Sequence, residues 1–289
     1  MRLTIQHETR YHYKNAPTSV IELLRLTPCN SDNQSVRDWR IDVTADVPLQ
    51  RFNDAFGNIT HTFSAAGAAE GLVITATGTV DTSGASGVVT GTRERLPVDV
   101  FLRETELTQA NAGLIALAHD AVDKSNGTAL DVAHKLNGLV HDRIAFEPGA
   151  TDTATSASEA LRAERGVCQD LTHVLIAAAR AYGLPARYVC GYQFEDGRAR
   201  DTHAGHAWGE IHVDDLGWVG FDPTAGASSN ETYVRVAVGL DYLSAAPVRG
   251  AVYGGGGENL SVTVTMDGGG RPHPLGQRQS QAQAGLQSQ

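Results

Sequence analysis

Residues 166–185 read GVCQDLTHVLIAAARAYGLP, and this stretch decides which fold we expect. Apolar side chains recur in it every three or four residues, which is the spacing of an amphipathic helix that packs on one face. Those side chains are Leu171, Val174, Leu175, Ala178 and Tyr182. The following Gly183-Leu184-Pro185 is typical of the end of a helix. We therefore predict a core helix that begins near Val167 or Cys168.

Cys168 lies in the first turn of this helix, three residues before Leu171, so its side chain shares the face that packs inward. Unpaired backbone amides and the helix macrodipole favour negative charge at this end of a helix, and therefore the nucleophilic thiolate. The alternative is a small buried thiol, which is the commoner role of a cysteine. Position alone leaves both interpretations open.

The segments around this helix favour an α+β core. Two amphipathic helices precede it, and their apolar positions are Leu114, Leu117, Ala121, Leu130, Ala133, Leu136 and Val140. Ser156 and Glu159 have the spacing of a capping box for a further short helix. Three predicted strands follow the core helix: Ala186 to Gln193, His206 to Val213 and Trp218 to Asp222. Residues 214–217 are a compact turn signal between the last two strands.

Residues 1 to about 90 have the pattern of an antiparallel β-domain. Segments rich in Thr, Val and Ile are separated by turn-forming residues, at Arg2 to His12, Ser19 to Thr27, Val36 to Val43, Ile59 to Phe63 and Leu72 to Val80. One more strand is predicted at Asn259 to Met266. We predict an N-terminal β-rich domain at 1–95, a catalytic core with the C-terminal strand at 96–267, and a disordered tail at 268–289.

The composition indicates a globular protein with reduced cysteines. The 289 residues carry a formal net charge of -10, which argues against a nucleic-acid or membrane partner because both need clustered Lys and Arg. Three widely spaced cysteines fit free thiols better than a disulfide framework. The first residues lack the apolar segment of a signal peptide, and no segment reaches the roughly 18 apolar residues of a membrane span. We therefore expect a cytoplasmic protein.

A thiolate nucleophile needs a base, and His206 at the start of a predicted strand is one candidate. His203 in the preceding loop is its rival. His212 lies roughly 20 Å further along the strand than His206, so only one of these two histidines can serve one thiol. His173 is rotated about 140° away from Cys168 around the helix, which favours a core or surface role. The spacing of these histidines matches no common zinc pattern, so we predict no metal and no cofactor.

Asp222 ends the last predicted strand and is followed by Pro223. Its position fits a carboxylate that orients the base, and it also fits an ordinary turn-forming aspartate. With a regular turn of residues 214–217, Asp222 faces Gly209 and lies on the opposite face of the hairpin from His206. The functional interpretation therefore requires a turn with an odd number of residues, or a β-bulge.

Three motifs together resemble those of bacterial transglutaminase-like proteins, in the same order and with similar spacings. They are Gly166-Val167-Cys168-Gln169-Asp170, His206-Ala207-Trp208 and Gly217-Trp218-Val219-Gly220-Phe221-Asp222-Pro223-Thr224. The resemblance covers nearly everything except the tail, since it extends to residues 183–189, 191–192, 24–28 and 54–58. The chain departs from many relatives at Gly209, where they carry Val, and at Cys190, where a small or hydroxylated residue is frequent.

The resemblance implies the family's N-terminal β-rich domain and a papain-like core with a Cys-His-Asp triad. In this chain the motifs assign Cys168 as nucleophile, His206 as general base and acid, and Asp222 as the residue that orients His206. The motif also selects His206 over His203. Asp170 matches the family pattern, but the helix dipole explains an acid in the first turn, so we assign it a structural role.

The predicted reaction is cleavage of a peptide or isopeptide amide through a thioester on Cys168. A true transglutaminase, which passes the acyl group to an amine, is the alternative, and a catalytically inactive binding module is the second alternative. The expected partner is a protein or peptide substrate. We expect no calcium requirement, because no EF-hand or other acidic calcium pattern occurs. The backbone amide of Cys168 is the first predicted oxyanion donor.

Overall fold

The computed structural model describes residues 1–67, 71–84, 86–195, 205–268 and 279–281. Its strands are β1 (Arg2–Tyr13), β2 (Pro17–Thr27), β3 (Gln34–Val43), β4 (Gln50–Asn53), β5 (Ile59–Ala66), β6 (Gly71–Thr82), β7 (Val88–Val89), β8 (Ala145–Phe146), β9 (Arg165–Gly166), β10 (Ala186–Gln193), β11 (His206–Val213), β12 (Gly217–Asp222), β13 (Ala227–Ser228), β14 (Tyr233–Gly239), β15 (Val248–Gly254), β16 (Glu258–Asp267) and β17 (Gln279–Gln281). Its helices are α1 (Ala112–Asp123), α2 (Ala129–Arg143), α3 (Ala157–Ala163), α4 (Cys168–Ala181) and α5 (Tyr242–Ala245), and a 3-10 turn spans Val98–Leu102. The predicted α+β class with a β-rich N-terminal region is confirmed.

The N-terminal region forms an antiparallel β-sandwich. One sheet has the strand order β17-β16-β1-β6-β3, and the other has the order β15-β2-β5-β4. In β1 every odd-numbered residue from Leu3 to Tyr13 is buried, and the others are exposed or half-buried, which is the period of two that a strand imposes. Tyr11 and Tyr13 share one hydrophobic cluster with Leu24 and Phe63 of the second sheet.

The C-terminal strand pairs within this sandwich, which corrects its predicted placement in the catalytic core. β16 runs antiparallel to β1 from Thr4 opposite Asp267 to Tyr13 opposite Glu258. Without β16, one row of backbone N–H and C=O groups of β1 would form an unprotected sheet edge. The alternating pattern at 259–266 predicts a strand but not its partner, because the partner lies at the other end of the chain. The remaining domain boundaries stay a prediction.

Two other C-terminal segments also extend the sandwich. β15 pairs with β2, and its two glycines and its arginine interrupt the apolar alternation by which a strand is recognised. Gln279–Gln281 pairs with β16, although the tail is predicted to be disordered. Pairing through the backbone needs no apolar side chain, so composition does not reveal it. The rest of the predicted tail beyond Gly268 lies outside the described residues.

The catalytic-core region packs its helices against one face of a sheet with the order β13-β12-β11-β10-β14. The predicted core helix is confirmed as α4, and the capping box at Ser156 and Glu159 is present at the start of α3. α4 lies close against β11. A Cβ added at Gly209 would lie 3.0 Å from Leu175 Cδ2 and 3.2 Å from Ile176 Cγ2, so glycine at this position allows the close approach.

Two side-chain amides of the sandwich cover the free edge of this sheet. The edge strand is β14. Gln34 accepts a hydrogen bond from the backbone N–H of Arg235 and donates one to its carbonyl oxygen, both at 2.8 Å. Asn58 makes the same pair of bonds with Val238, again both at 2.8 Å. Each amide substitutes for one residue of a neighbouring strand, and the two regions are joined through the β14 backbone.

Candidate active site

Cys168 is the first residue of α4 and is buried, with 7% exposure. The buried Asp170 carboxylate holds this helix start in place. It accepts hydrogen bonds from the Val167 backbone N–H at 2.8 Å and from the Thr151 hydroxyl at 2.6 Å. Burial raises the pKa of Asp170, although these hydrogen bonds oppose the rise. Its structural role is therefore a specific one: Asp170 orients the backbone that carries Cys168.

Gly166 of the same motif is required by this packing. A Cβ added at Gly166 would lie 2.7 Å from the Asp170 carboxylate, closer than real Cβ atoms approach. Sequence reasoning missed Thr151, because it lies in an irregular segment before α3 and no local pattern connects it with Asp170.

The hairpin of β11 and β12 places His206 and Asp222 on one face of the sheet. Val213 pairs with Gly217, so the turn comprises the three residues 214–216, and the required odd number is confirmed. A positive φ of 82° at Gly217 lies in the left-handed region, which glycine adopts without strain. The turn thereby sets the register on which the functional interpretation of Asp222 depends.

His206 Nε2 and Asp222 Oδ2 lie 2.6 Å apart, and both residues are buried. The same carboxylate oxygen accepts a bond from the Tyr233 hydroxyl at 2.7 Å. Asp222 Oδ1 accepts bonds from the backbone N–H groups of Thr224 at 2.8 Å and Ala225 at 3.2 Å. Burial acts to raise the pKa of Asp222, but the His206 charge and these hydrogen bonds outweigh burial and lower it. The carboxylate is held in its ionised form.

Sequence reasoning also missed Tyr233. It begins β14, the edge strand on the far side of β10, and it packs against Trp208 with their ring centroids 5.3 Å apart. Only the strand order of the sheet brings this hydroxyl to Asp222, so no spacing in the sequence signals the contact.

Cys168 and His206 form the second contact of the site. The bond from Nε2 to Asp222 leaves Nδ1 as the ring nitrogen of His206 that Asp222 does not engage. Burial acts to lower the pKa of His206, but Asp222 and a hydrogen bond with the Cys168 side chain outweigh burial and raise it to about 10. An imidazolium stabilises a thiolate beside it. The structure thus brings the three sequence-predicted residues together: His206 is hydrogen-bonded to Asp222, and it lines the same cavity as Cys168.

The other histidines have different surroundings. His203 lies outside the described residues. His212 packs its ring against Trp218, with centroids 5.3 Å apart. His173 is fully buried, its Nε2 accepts a bond from the Tyr242 backbone N–H at 3.0 Å, and burial lowers its pKa to about 4. His173 is therefore a neutral core residue.

A cavity of about 150 Å³ lies directly beside Cys168 and His206. Cys190 of β10 lines it on the side of the catalytic core, and burial raises the pKa of this second thiol to about 12. Thr9 of β1 and Val262 of β16 line the opposite side. The cavity is therefore formed by both regions of the chain.

Cys29, Cys168 and Cys190 are all free thiols. Within the ranges that the structure describes, no group of three or more His, Cys, Asp or Glu side chains is arranged to hold a metal ion. Among these same residues, no helix has the length and apolar character needed to cross a membrane.

Known protein families match two separate regions of the chain. The transglutaminase-like superfamily matches residues 115–223, a range that contains Cys168, His206 and Asp222. The bacterial transglutaminase-like N-terminal region matches residues 3–81, which form the greater part of the sandwich.

Several proteins are similar to this chain over nearly its whole length. An uncharacterized protein of Mycobacterium leprae is 29% identical over 277 residues, covering 92% of this chain and 98% of the relative. An uncharacterized protein of Mycobacterium tuberculosis is 29% identical over 290 residues, covering 92% of each chain. The solved structure of the "Putative Cysteine Protease" from Cytophaga hutchinsonii has the same fold, with a TM-score of 0.71 at 20% identity over 97% of this chain and 98% of that one. The chain thus combines a core of the transglutaminase-like superfamily at residues 115–223 with the bacterial transglutaminase-like N-terminal region at residues 3–81.

Proposed function

We propose that this protein cleaves a peptide or isopeptide amide through a thioester acyl-enzyme on Cys168, with His206 as base and acid and Asp222 as its orienting residue. The observation that carries the proposal is the convergence of these three side chains: His206 Nε2 lies 2.6 Å from Asp222 Oδ2, and Cys168 and His206 line the same cavity. A cysteine at a helix start, paired with an imidazole that a carboxylate orients, is the arrangement of an activated nucleophile.

The first half of the reaction acylates the enzyme. The Cys168 thiolate attacks the amide carbonyl carbon, a C–S bond forms, and an electron pair moves onto the carbonyl oxygen. The backbone N–H of Cys168 is available to stabilise that oxyanion, because the first amides of a helix have no intrahelical acceptor. The His206 imidazolium donates its proton to the nitrogen, the C–N bond breaks and the amine leaves.

The second half releases the acyl group. Neutral His206 takes a proton from water, and the hydroxide attacks the thioester carbonyl. The C–S bond breaks, which leaves a carboxylic acid product and restores the thiolate and the imidazolium. Asp222 keeps Nε2 of His206 protonated throughout, so that Nδ1 exchanges protons with the sulfur, the amine and water. An amine in place of water would yield a new amide, which is the transglutaminase reaction.

The test is to trap the acyl-enzyme. The full chain is mixed with a library of peptide p-nitroanilides and quenched in acid, and the protein mass and the modified peptide are read by mass spectrometry. We expect an acyl adduct on Cys168 and release of p-nitroaniline. Cys168→Ala abolishes both, whereas Cys29→Ser, a half-buried thiol in the sandwich, leaves both unchanged.

A second arm adds a primary alkylamine to the trapped enzyme and identifies the product. Release of the free acid, both in water alone and with the amine added, supports hydrolysis. If the amide forms in preference to the acid, the reaction is acyl transfer and the hydrolysis proposal is overturned. Alkylation by iodoacetamide tests the binding-module alternative. If Cys168 reacts no faster than Cys29 and Cys190 below neutral pH and no adduct forms, the thiol is not activated and the enzymatic proposal fails.

A further inference from the structure

We infer that the acyl-donor residue of the substrate places an uncharged, apolar side chain in the cavity beside Cys168, and that strands β1 and β16 of the sandwich select its size. The inference rests on the proposed function, because it names the substrate class for the same site. It assigns to the N-terminal region a direct part in substrate recognition, beyond that of a scaffold.

The position of the cavity connects it with the reacting bond. Cys168 and His206 both line it, so a side chain on the residue whose carbonyl is attacked lies within reach of this space. Tyr242, at the start of α5, and Val248, at the start of β15, line it where the chain passes from the core back to the sandwich. The cavity is therefore an extension of the active site.

The wall opposite the nucleophile is a rigid pair of strands. Thr9 of β1 lies directly opposite Val262 of β16, and Tyr11 lies opposite Leu260, in a continuous antiparallel ladder. All four side chains line the cavity. Side chains fixed on paired strands hold their positions more accurately than side chains on loops, which is what discrimination by size requires.

The packing of β1 explains why the cavity lies beside the middle of this strand. Near its start, Leu3 and Ile5 pack in one cluster with Val234 of the core sheet. Near its end, Tyr11 and Tyr13 pack inside the sandwich. Between these two contacts lie His7 and Thr9, which line the cavity beside Cys168.

The chemistry of the described lining favours an uncharged group. None of the side chains that line this cavity is Lys, Arg, Asp or Glu. His7 Nδ1 is hydrogen-bonded to the Tyr192 hydroxyl and His7 Nε2 to the Thr9 hydroxyl, both at 3.0 Å. Burial lowers the pKa of His7 to about 4, so its ring is neutral at pH 7. A charged side chain would lose its hydration here, and apart from the reacting pair Cys168 and His206 the described lining holds no charge that would compensate for this loss.

The volume limits the size of the group. Apolar cavities of about 150 Å³ accommodate a benzene-sized molecule. Leucine, methionine and phenylalanine side chains are of this order, whereas alanine leaves most of the space empty. We therefore expect the preferred acyl donor to carry a side chain between leucine and phenylalanine in size.

The test uses N-acetyl aminoacyl chloromethyl ketones with alanine, leucine, phenylalanine, aspartate and lysine side chains. These probes alkylate a thiol without any acyl transfer, and they carry the side chain on the carbon next to the carbonyl, as the acyl donor does. The rate of modification of Cys168 is followed by mass spectrometry. We expect the leucine and phenylalanine probes to react on the order of 10-fold faster than the other three.

Three variants test whether residues of β1 and β16 select the side chain of the probe. Thr9→Leu fills the cavity and should slow the phenylalanine probe on the order of 10-fold while sparing the alanine probe. Val262→Ala enlarges the cavity without touching the His7 bonds and should shift preference towards phenylalanine. Thr4→Leu is the matched control, because Thr4 lies on the exposed face of β1. Its probe rates should equal those of the wild type.

The outcomes separate the inference from the proposed function. Equal rates for all five probes, or equal preferences in wild type, Thr9→Leu and Val262→Ala, overturn the inference even when p-nitroanilides are cleaved. Conversely, a side-chain preference with chloromethyl ketones but no acyl adduct from any amide supports the inference and overturns the proposed reaction. A preference for the aspartate or lysine probe contradicts the uncharged substrate class.

Discussion

The two carboxylate oxygens of Asp222 are held by four donors: His206 Nε2, the Tyr233 hydroxyl, and the backbone N–H groups of Thr224 and Ala225. An amide at this position presents an NH₂ group to at least one of these donors. We expect Asp222→Asn to keep the fold and to lower kcat by roughly 10²- to 10⁴-fold. The His206 imidazole would no longer be held in the required tautomer, and it would lose the carboxylate that stabilises its positive charge. Steady-state rates on a cleaved p-nitroanilide measure this loss.

The control for this variant is Asp214→Asn in the turn of the same hairpin. The Asp214 side chain is fully exposed, so its neutralisation should leave kcat within about twofold. An Asp222→Asn protein that cleaves at the wild-type rate would show that the carboxylate is only structural.

Glu22 of β2 is a second buried carboxyl, and it predicts a pH dependence of stability. Burial and the nearby Glu258 raise the pKa of Glu22 to about 8, from an ordinary value of 4.5. Between these values the folded chain keeps the proton and the unfolded chain releases it, so the free energy of unfolding falls as pH rises through this window. Glu22→Gln removes this titration and should be more stable than wild type by roughly 2 to 4 kcal/mol above pH 8.

Urea unfolding at pH 5, 7 and 9 checks this prediction. The stability difference between Glu22→Gln and wild type should be smallest at pH 5 and should grow towards pH 9. Glu106→Gln, an exposed control, should follow the wild-type curve at all three values. A difference that is constant across pH would mean that Glu22 is already ionised in the folded protein.

At the scale of the element, the β11–β12 turn depends on the backbone conformation of Gly217. Its φ is 82°, and an added Cβ would have no atom within 4 Å, so alanine there is strained only through the backbone. We expect Gly217→Ala to lower the free energy of unfolding by about 1 kcal/mol. Some activity should also be lost, because the turn sets the register of His206 and Asp222.

Gly138 of α2 is a control that should change stability in the opposite direction. It lies within the helix Ala129–Arg143, and an added Cβ there also meets no atom within 4 Å. Since alanine favours a helix over glycine, Gly138→Ala should raise the free energy of unfolding by about 0.5 to 1 kcal/mol. Chemical denaturation measures the free energy of unfolding of both variants. Changes of the same sign in Gly217→Ala and Gly138→Ala would show that the positive φ of Gly217 does not decide the effect of the substitution.

The elements themselves differ in how far sequence predicts them. α4 is recognised from its period of three to four residues, because the apolar stripe and its closing Gly183-Leu184-Pro185 are local features. β15 is not recognised, because glycines interrupt its alternation and β2 supplies the backbone partners that hold it. Local pattern is therefore sufficient for a helix, whereas a strand also needs its neighbour.

At the scale of the whole molecule, Asn58 joins the sandwich to the catalytic core. Its amide pairs with both backbone groups of Val238, and Asp54 accepts bonds from the Asn58 backbone and side chain at 3.0 Å. Asn58→Ala leaves the Val238 N–H and C=O groups buried without partners. We expect a loss of about 1 to 3 kcal/mol in the free energy of unfolding, measured by urea denaturation.

Asn53→Ala is the control, because the Asn53 side chain bonds the Gly57 carbonyl at the surface of the same turn. It should change the free energy of unfolding by less than about 1 kcal/mol. Because the cavity beside Cys168 has walls from both regions, Asn58→Ala should also weaken the preference for the phenylalanine chloromethyl ketone. Unchanged stability in Asn58→Ala would mean that the Val238 backbone finds other partners.

By itself, the sequence determined the four longer helices α1 to α4, that the N-terminal region is β-rich, and which three residues are candidates for the chemistry. Each of these depends on a period or on a motif within a short stretch of chain. The sequence also stated the condition on the hairpin turn, because parity along paired strands follows from geometry alone.

Only the tertiary structure decided the rest: a turn of three residues, Tyr233 against Asp222, β16 beside β1, and a cavity whose far wall is β1 and β16. The physical reason is common to all four. Each arises where backbone pairing or side-chain packing between segments satisfies buried polar groups and apolar surface. Such pairings are chosen among many competing partners by the fold as a whole, and a local pattern does not specify them.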